Sequence, residues 1–177
     1  MKFFFTSDTH FSQERTLKMS KRPFESVEEM DKVLIDNWNK TVSKDDIVFH
    51  LGDFGDYSKV KELNGTIILV GGNYEHKLTR EQALEYGFSN YSPYPEECTI
   101  SINEYSIAMT HRPQDLKSKT LTDFKINLFG HVHKLQMVRT YGLNVGSDCH
   151  NYTPIDLDTV LFYHNAINHY YDDDALR

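Results

Sequence analysis

The sequence predicts an α/β fold in which two sheets pack together with helices outside. Two observations carry this. In the first half, short apolar runs ending in Gly-Asp or Gly-Asn are separated by amphipathic helical segments. In the second half, apolar runs follow one another through hairpin and loop connections. No low-complexity linker or repeat interrupts the 177 residues, so residues 1–177 read as a single domain, long enough to bury a core without staples.

"KFFFTSD" reads as a first short buried strand. "SVEEMDKVLIDNWNKTV" reads as a helix. Val27, Met30, Leu34, Trp38 and Val42 recur on one face, and Ser26 with Glu29 forms a capping box. "DIVFHLGD" is a second strand, apolar and β-branched. A short helix around 57–63 precedes the Asn64-Gly65 turn, and "TIILVGGN" is a third strand. After a helix-like segment near 79–86, "CTISI" and "YSIAMTH" flank Asn103-Glu104 as a hairpin. "INLFGHVH" and "YGLNVGSD" are further strand-and-loop units, and "IDLDTVLFYHNAINHY" is a C-terminal helix. The "DDD" after it opposes the helix dipole and is expected to fray. Segment 11–25, "FSQERTLKMSKRPFE", reads as a polar loop in which Lys18, Lys21 and Arg22 cluster, either solvated or acting as a lid that contacts phosphate or base.

The formal charge of −7 argues against a protein that grips extended duplex nucleic acid through a basic face. It leaves a small phosphate or nucleotide substrate open, because bound metal ions reverse the local sign. No run approaches membrane-spanning length, and "MKFFFTSD" is too short for a signal peptide. Cys98 and Cys149 are the only cysteines, which reads as a reduced, cytoplasmic protein.

The chemistry gathers at strand ends. "SDTH" supplies Asp8 and His10, "LGDF" Asp53, "GGN" Asn73, "AMTH" His111, and "LFGHVH" His131 and His133. Any one of these alone is an ordinary turn residue or hydrogen-bonded histidine. The ordered set places seven oxygen and nitrogen donors at the carboxyl ends of five apolar strands, where open α/β sheets keep their ligand sites. Residues two apart in an extended segment point the same way, so Asp8 pairs with His10 and His131 with His133. Mixed imidazole and carboxylate without thiolate suits Mn, Fe, Ni or Zn, and seven donors with one shared carboxylate suit two ions.

D-x-H, GD, GN, a later His and GHxH, in that order, resemble the calcineurin-like metallophosphoesterases from residue 3 to about 148. "FFTSDTHF", "RPFESVEEMDKVLIDNWN", "IVFHLGDF" and "NVGSD" are similar, more narrowly, to small phosphoesterases frequent in bacteria and their phages. The resemblance implies a two-sheet sandwich with a dinuclear site. In it Asp8, His10 and His133 would hold one metal, Asn73, His111 and His131 the other, and Asp53 both. It implies two divalent cations, Mn²⁺ foremost with Fe, Ni, Zn or Mg as alternatives. A hydroxide bridging them would attack a phosphodiester or phosphomonoester, diesters being favoured and a nucleotide or cyclic nucleotide being the expected class.

Tyr74 departs from that pattern, since many relatives carry His after the ligand Asn. A tyrosine with a reference pKa near 10 is a poor proton donor to an alkoxide. Tyr74 either donates a hydrogen bond to the phosphoryl group, yields the acid role to His76, serves a leaving group that needs little help, or simply packs there. Glu75 is expected to orient the loop, and Arg112, next to His111, to contact phosphate. His50 reads as a core histidine, His150 and Asn151 as rim residues, and His164 and His169 as structural. The competing function is a metal-binding regulatory or scaffold protein whose turnover is weak because of Tyr74.

Overall fold

The computed structural model describes residues 1–170; the acidic "DDD" lies outside the described residues. A first sheet holds strands β1 (Phe3–Thr6), β2 (Ile47–His50), β3 (Thr66–Val70), β4 (Asn90–Ser92) and β10 (Ile155–Asp156) in the order β10-β1-β2-β3-β4. The four from β1 to β4 run parallel, and β10 is antiparallel to β1. A second sheet orders β5 (Cys98–Ile102), β6 (Tyr105–Met109), β7 (Lys125–Phe129), β9 (Gly142–Asn144) and β8 (Val138–Arg139) as β5-β6-β7-β9-β8. The expected hairpin is β5–β6, paired in antiparallel register from Cys98↔Met109 to Ile102↔Tyr105. The short strands β4, β8 and β10 lie outside the sequence-derived set; Ile155 and Asp156, read as helical, pair instead with Phe5 and Phe4.

Alternation along each strand builds two cores. Phe4, Val48 and Ile67 face a cluster with Met30, Leu34 and Trp38 of helix α2 (Val27–Thr41), while Phe5 and Phe49 face Ile107, Met109 and Leu128 across the sandwich. Ser26 caps α2 by accepting from the Glu29 N–H, but Glu29 accepts from the Glu25 N–H, so the box closes one residue early. Helix α3 (Arg80–Tyr86) begins at a Thr79–Gln82 capping box, and α4 (Leu157–His169) is capped by Asp156. The segment 57–62 is a 3₁₀ turn.

One expectation for 11–25 is corrected. That segment contains helix α1 (Glu14–Met19), and Arg22, read as part of an exposed basic cluster, is only 5% exposed. Its guanidinium meets Asp148 at 2.8 and 3.0 Å and donates to the carbonyls of Asp8 and Thr9. Arg22 therefore holds the fold together and is not free to take a phosphate.

Candidate metal centre

Asp8 and His10 follow β1, Asp53 follows β2, Asn73 follows β3, His111 follows β6, and His131 and His133 follow β7. Both sheets thus deliver donors to one point. The backbone there is not extended: Asp8, His10, Asp53, His131 and His133 all have positive φ, from 48° to 72°. Each such residue costs about 1–2 kcal/mol, so the surroundings must impose it. Glycines make the approach possible. Gly52 has φ +85°, and a Cβ on it would collide with the backbone at Gly71 and Gly72. A Cβ on Gly130 would enter the Ser7 hydroxyl and come within 2.6 Å of Asp8 Oδ2.

The donors sort into two triads, Asp8 with His10 and His133, and Asp53 with His111 and His131, the atoms of each lying within 4.8 Å of one another. The extended backbone expected for the two i, i+2 pairs is absent at both, although Asp8 and His10 still share a triad. His131 and His133 sit either side of a turn and join different triads. In the first triad, His10 Nε2 lies 3.9 Å from Asp8 Oδ1, and His133 Nε2 lies 4.0 Å from that same oxygen. Asp8 Oδ1 and His10 Nε2 are buried without a hydrogen-bond partner among the described residues. Orphaned buried acceptors of this kind are costly, and two of them facing each other fit a cation. Ligands on one ion at about 2.1 Å stand about 3–4 Å apart, which matches these separations. In the second triad, His111 Nε2 lies 3.4 Å from Asp53 Oδ2, 3.0 Å from Asn73 Oδ1 and 3.2 Å from His131 Nδ1. Asp53 Oδ2 is also 3.7 Å from His10 Nε2, so it stands between the triads.

The other end of each group is fixed. Asp8 Oδ2 accepts from the His131 N–H at 2.9 Å, and Asp53 Oδ1 from the Tyr74 N–H at 3.1 Å. Three imidazoles donate Nδ1–H outward, His10 to Gln13 Oε1, His111 to the Leu51 carbonyl and His133 to Asp148 Oδ2, leaving Nε2 toward the site. Burial alone would lower His111, but Asp53 and Asp8 hold it up at about 9. Burial likewise opposes ionisation of Asp148, yet His133 and Arg22 bring it down to about 2. Burial and the neighbouring Asp53 charge raise Glu75.

A family model of the calcineurin-like phosphoesterase superfamily domain matches residues 1–164. The chain belongs to the calcineurin-like phosphoesterase superfamily. An uncharacterized protein of Methanocaldococcus jannaschii is 30% identical over 173 residues, covering 90% of this chain and 89% of that protein. A solved structure of a protein of unknown function from Aquifex aeolicus superposes with a TM-score of 0.66 at 22% identity, covering 90% of this chain and 97% of the other. An archaeal phosphodiesterase superposes at 0.53 with 19% identity, covering 90% and 96%. The family is metal-dependent, and the orphaned donors here suit that chemistry.

Among residues singled out beside the donors, Tyr74 is 40% exposed in a cavity of about 630 Å³ above the triads, its ring set edge-on to His10. Glu75 is fully buried and accepts from the N–H groups of Asp53, Phe54 and Gly72. It positions the phosphoesterase loops and does not face the cavity, which corrects its place among catalytic groups. His76 is exposed, binds the Asn73 carbonyl through Nδ1 and lies outside the cavity lining, as does Arg112, whose guanidinium stacks on Tyr94. His150 is tied to the Asn144 carbonyl, His164 to that of Thr122, and His169 to Asp123. His50 is a core histidine: Thr9 Oγ1 donates to the Phe54 carbonyl and so accepts from His50 Nε2–H. Among the described residues no helix is long and apolar enough to cross a membrane.

Sequence reasoning missed Gln13, Asp148 and Arg22 as the groups that hold the imidazoles. Gln13 could have been found three residues after His10, but Arg22 and Asp148 are 126 positions apart and carry no local mark.

Proposed function

We propose that the chain is a dinuclear metal-dependent phosphodiesterase. The observation that carries this reading is the pair of donor triads with Asp53 Oδ2 between them, one triad holding two buried atoms that nothing among the described residues satisfies. Asp8, His10 and His133 would hold one divalent ion, Asn73, His111 and His131 the other, and Asp53 both, with Mn²⁺ as the expected metal. Bound ions supply Lewis acidity, lowering the pKa of water and neutralising phosphoryl charge.

The chain's own residues bear on which leaving groups are accepted, a property that a diester and a monoester of one alcohol share. Hydrolysis forms one P–O bond to water and breaks the ester P–O bond, and the leaving oxygen takes a proton. The imidazoles lining the cavity are His10, His131 and His133, all assigned as donors, so none remains to act as an acid. Tyr74 is the remaining hydroxyl-bearing aromatic there and is a weak acid by type. Substrates whose leaving group needs little protonation, aryl esters among them, are therefore the expected ones. A structural neighbour that shares the fold at 19% identity is an archaeal phosphodiesterase.

The test compares bis(4-nitrophenyl) phosphate with 4-nitrophenyl phosphate on Mn²⁺-loaded protein and on Asp53→Asn. Faster turnover of the diester, lost in the variant, is the expected result. Monoester preference would make the protein a phosphatase. Two bound ions with neither substrate consumed would favour the binding-protein reading.

A further inference from the structure

The cavity over the triads is more than an entrance. Its volume of about 630 Å³ falls within the roughly 300–1,000 Å³ of small-molecule sites. Its floor carries the polar donors, but its walls are mostly apolar. Leu135 is 89% exposed, Met19 55% and Tyr74 40%, three large side chains presented to one space. Around them stand the exposed cations Arg15, Lys21 and Lys134. Among the described residues none of the three enters an ion pair, although the protein carries a net charge of −7. Charges left unmatched in an acidic protein, at the mouth of its cavity, suit an anion other than the one on the floor.

The wall is built. Lys134 Nζ donates to the Lys21 carbonyl at 3.1 Å, and Ser20 Oγ lies 3.2 Å from His133 Nδ1. These contacts clasp the end of α1 to the turn after β7, so Met19 and Leu135 approach from opposite elements. The Tyr74 ring is held against His10 at a centroid distance of 5.3 Å, with its hydroxyl making no hydrogen bond among the described residues.

We infer that this cavity binds a mononucleotide carrying at least two phosphate groups. One phosphate lies on the donor floor, the second at Arg15, Lys21 and Lys134, and the base lies against Tyr74, Met19 and Leu135. This rests on the phosphodiesterase reading for the floor, but the base and second-phosphate contacts are independent of turnover. Tyr74 is then a base-recognition residue.

The test is calorimetric binding to Mn²⁺-loaded protein of ribose 5-phosphate, AMP and ADP. AMP is expected to bind at least about fivefold tighter than ribose 5-phosphate, as stacking of one base on an aromatic gives. Tyr74→Ala should abolish that ratio and Tyr74→Phe keep it. ADP should bind tighter than AMP, and Arg15→Ala or Lys21→Ala, neither of which removes a clasping side chain, should narrow that difference. Equal binding of AMP and ribose 5-phosphate, or a ratio indifferent to Tyr74→Ala, overturns the inference. So does a 5′-phosphorylated trinucleotide binding tighter than ADP, which would assign the cavity to a strand end. If the ratios hold while no phosphate ester is hydrolysed, the phosphodiesterase reading falls and the nucleotide subsite stands. If diesters are hydrolysed but the ratios are absent, the reverse holds.

Discussion

The two donor triads are assembled from the same residue types yet are held in different ways. In the Asp8–His10–His133 triad the donors face one another at 3.9 and 4.0 Å, and Gln13, Asp148 and Arg22 fix the imidazoles from behind. In the Asp53–His111–His131 triad the donors stand closer, at 3.2 and 3.4 Å, and lean on each other; the protein fixes His111 through a backbone carbonyl. The imidazoles of the first half are held by a side-chain network and that of His111 by backbone, while Glu75 holds the loop that carries Asp53. A side-chain substitution can therefore loosen the imidazoles of the first without touching a donor, whereas in the second the side-chain support acts on the Asp53 loop, through Glu75.

The largest effect expected from that contrast is at Asp53. Asp53→Asn should reduce bound Mn²⁺ from two per chain to fewer than one and cut diester turnover beyond the roughly 10–100-fold that losing an outer hydrogen-bond partner costs. Asp8→Asn should leave one ion in place. Elemental analysis beside the rate assay checks both, and equal stoichiometry in the two variants would remove the special place of Asp53.

Next is Asp148→Ala, which strands the buried Arg22 guanidinium and frees His133. Breaking one partner of a buried pair costs about 3–5 kcal/mol. Urea unfolding of the metal-free protein should show a loss of that order. Asp148→Asn, which keeps one of the two acceptor oxygens, should lose less. A neutral result for Asp148→Ala would mean that the first triad needs no scaffold.

How much of this was legible in the sequence follows from range. Each donor sits just past an apolar strand, so strand pattern and donor appear within a few residues. The helix α2 face was legible for the same reason. Helix α1 was not, because its six residues bury only Thr16 and Leu17 and give too little periodicity. Strand β10 was hidden because two residues pair with β1 immediately before a helix begins. The Arg22–Asp148 pair joins distant segments, and an arginine in a polar run looks exposed until its partners are seen.

His50 lies beneath the seam between the triads, bonded to Thr9 and packed on Phe54 at 4.9 Å. Burial, with the charges of His10 and His111, lowers it from 6.5 to about 3. The unfolded chain then binds the extra proton between those values, so stability falls as pH drops below about 6.5, by up to about 1.4 kcal/mol per pH unit for this group. In His50→Gln, which keeps a donor for Thr9 but does not titrate, the urea midpoint should fall less steeply between pH 6.5 and 5. Parallel acid limbs would show that His50 is not the sensor.

The smallest effects fall at Tyr74, above the seam. Tyr74→Phe should change aryl-diester turnover by less than about threefold, since an aryl leaving group needs no acid. Tyr74→His should favour alkyl diesters relative to aryl ones, by up to about 100-fold if the imidazole protonates the leaving oxygen. A general rise for all substrates would instead mark the native protein as a damaged enzyme.

Each triad takes donors from both sheets: Asp8 and His10 with His133, and Asp53 and Asn73 with His111 and His131. The distance across each triad is therefore set by how far apart the sheets stand, and that is decided by Phe5, Leu51, Met109 and Leu128 in the sandwich core. Those side chains work as a spacer whose thickness calibrates the bite offered to a cation. Evolution could retune ion preference by trading a methyl group in this spacer, with every donor left unchanged.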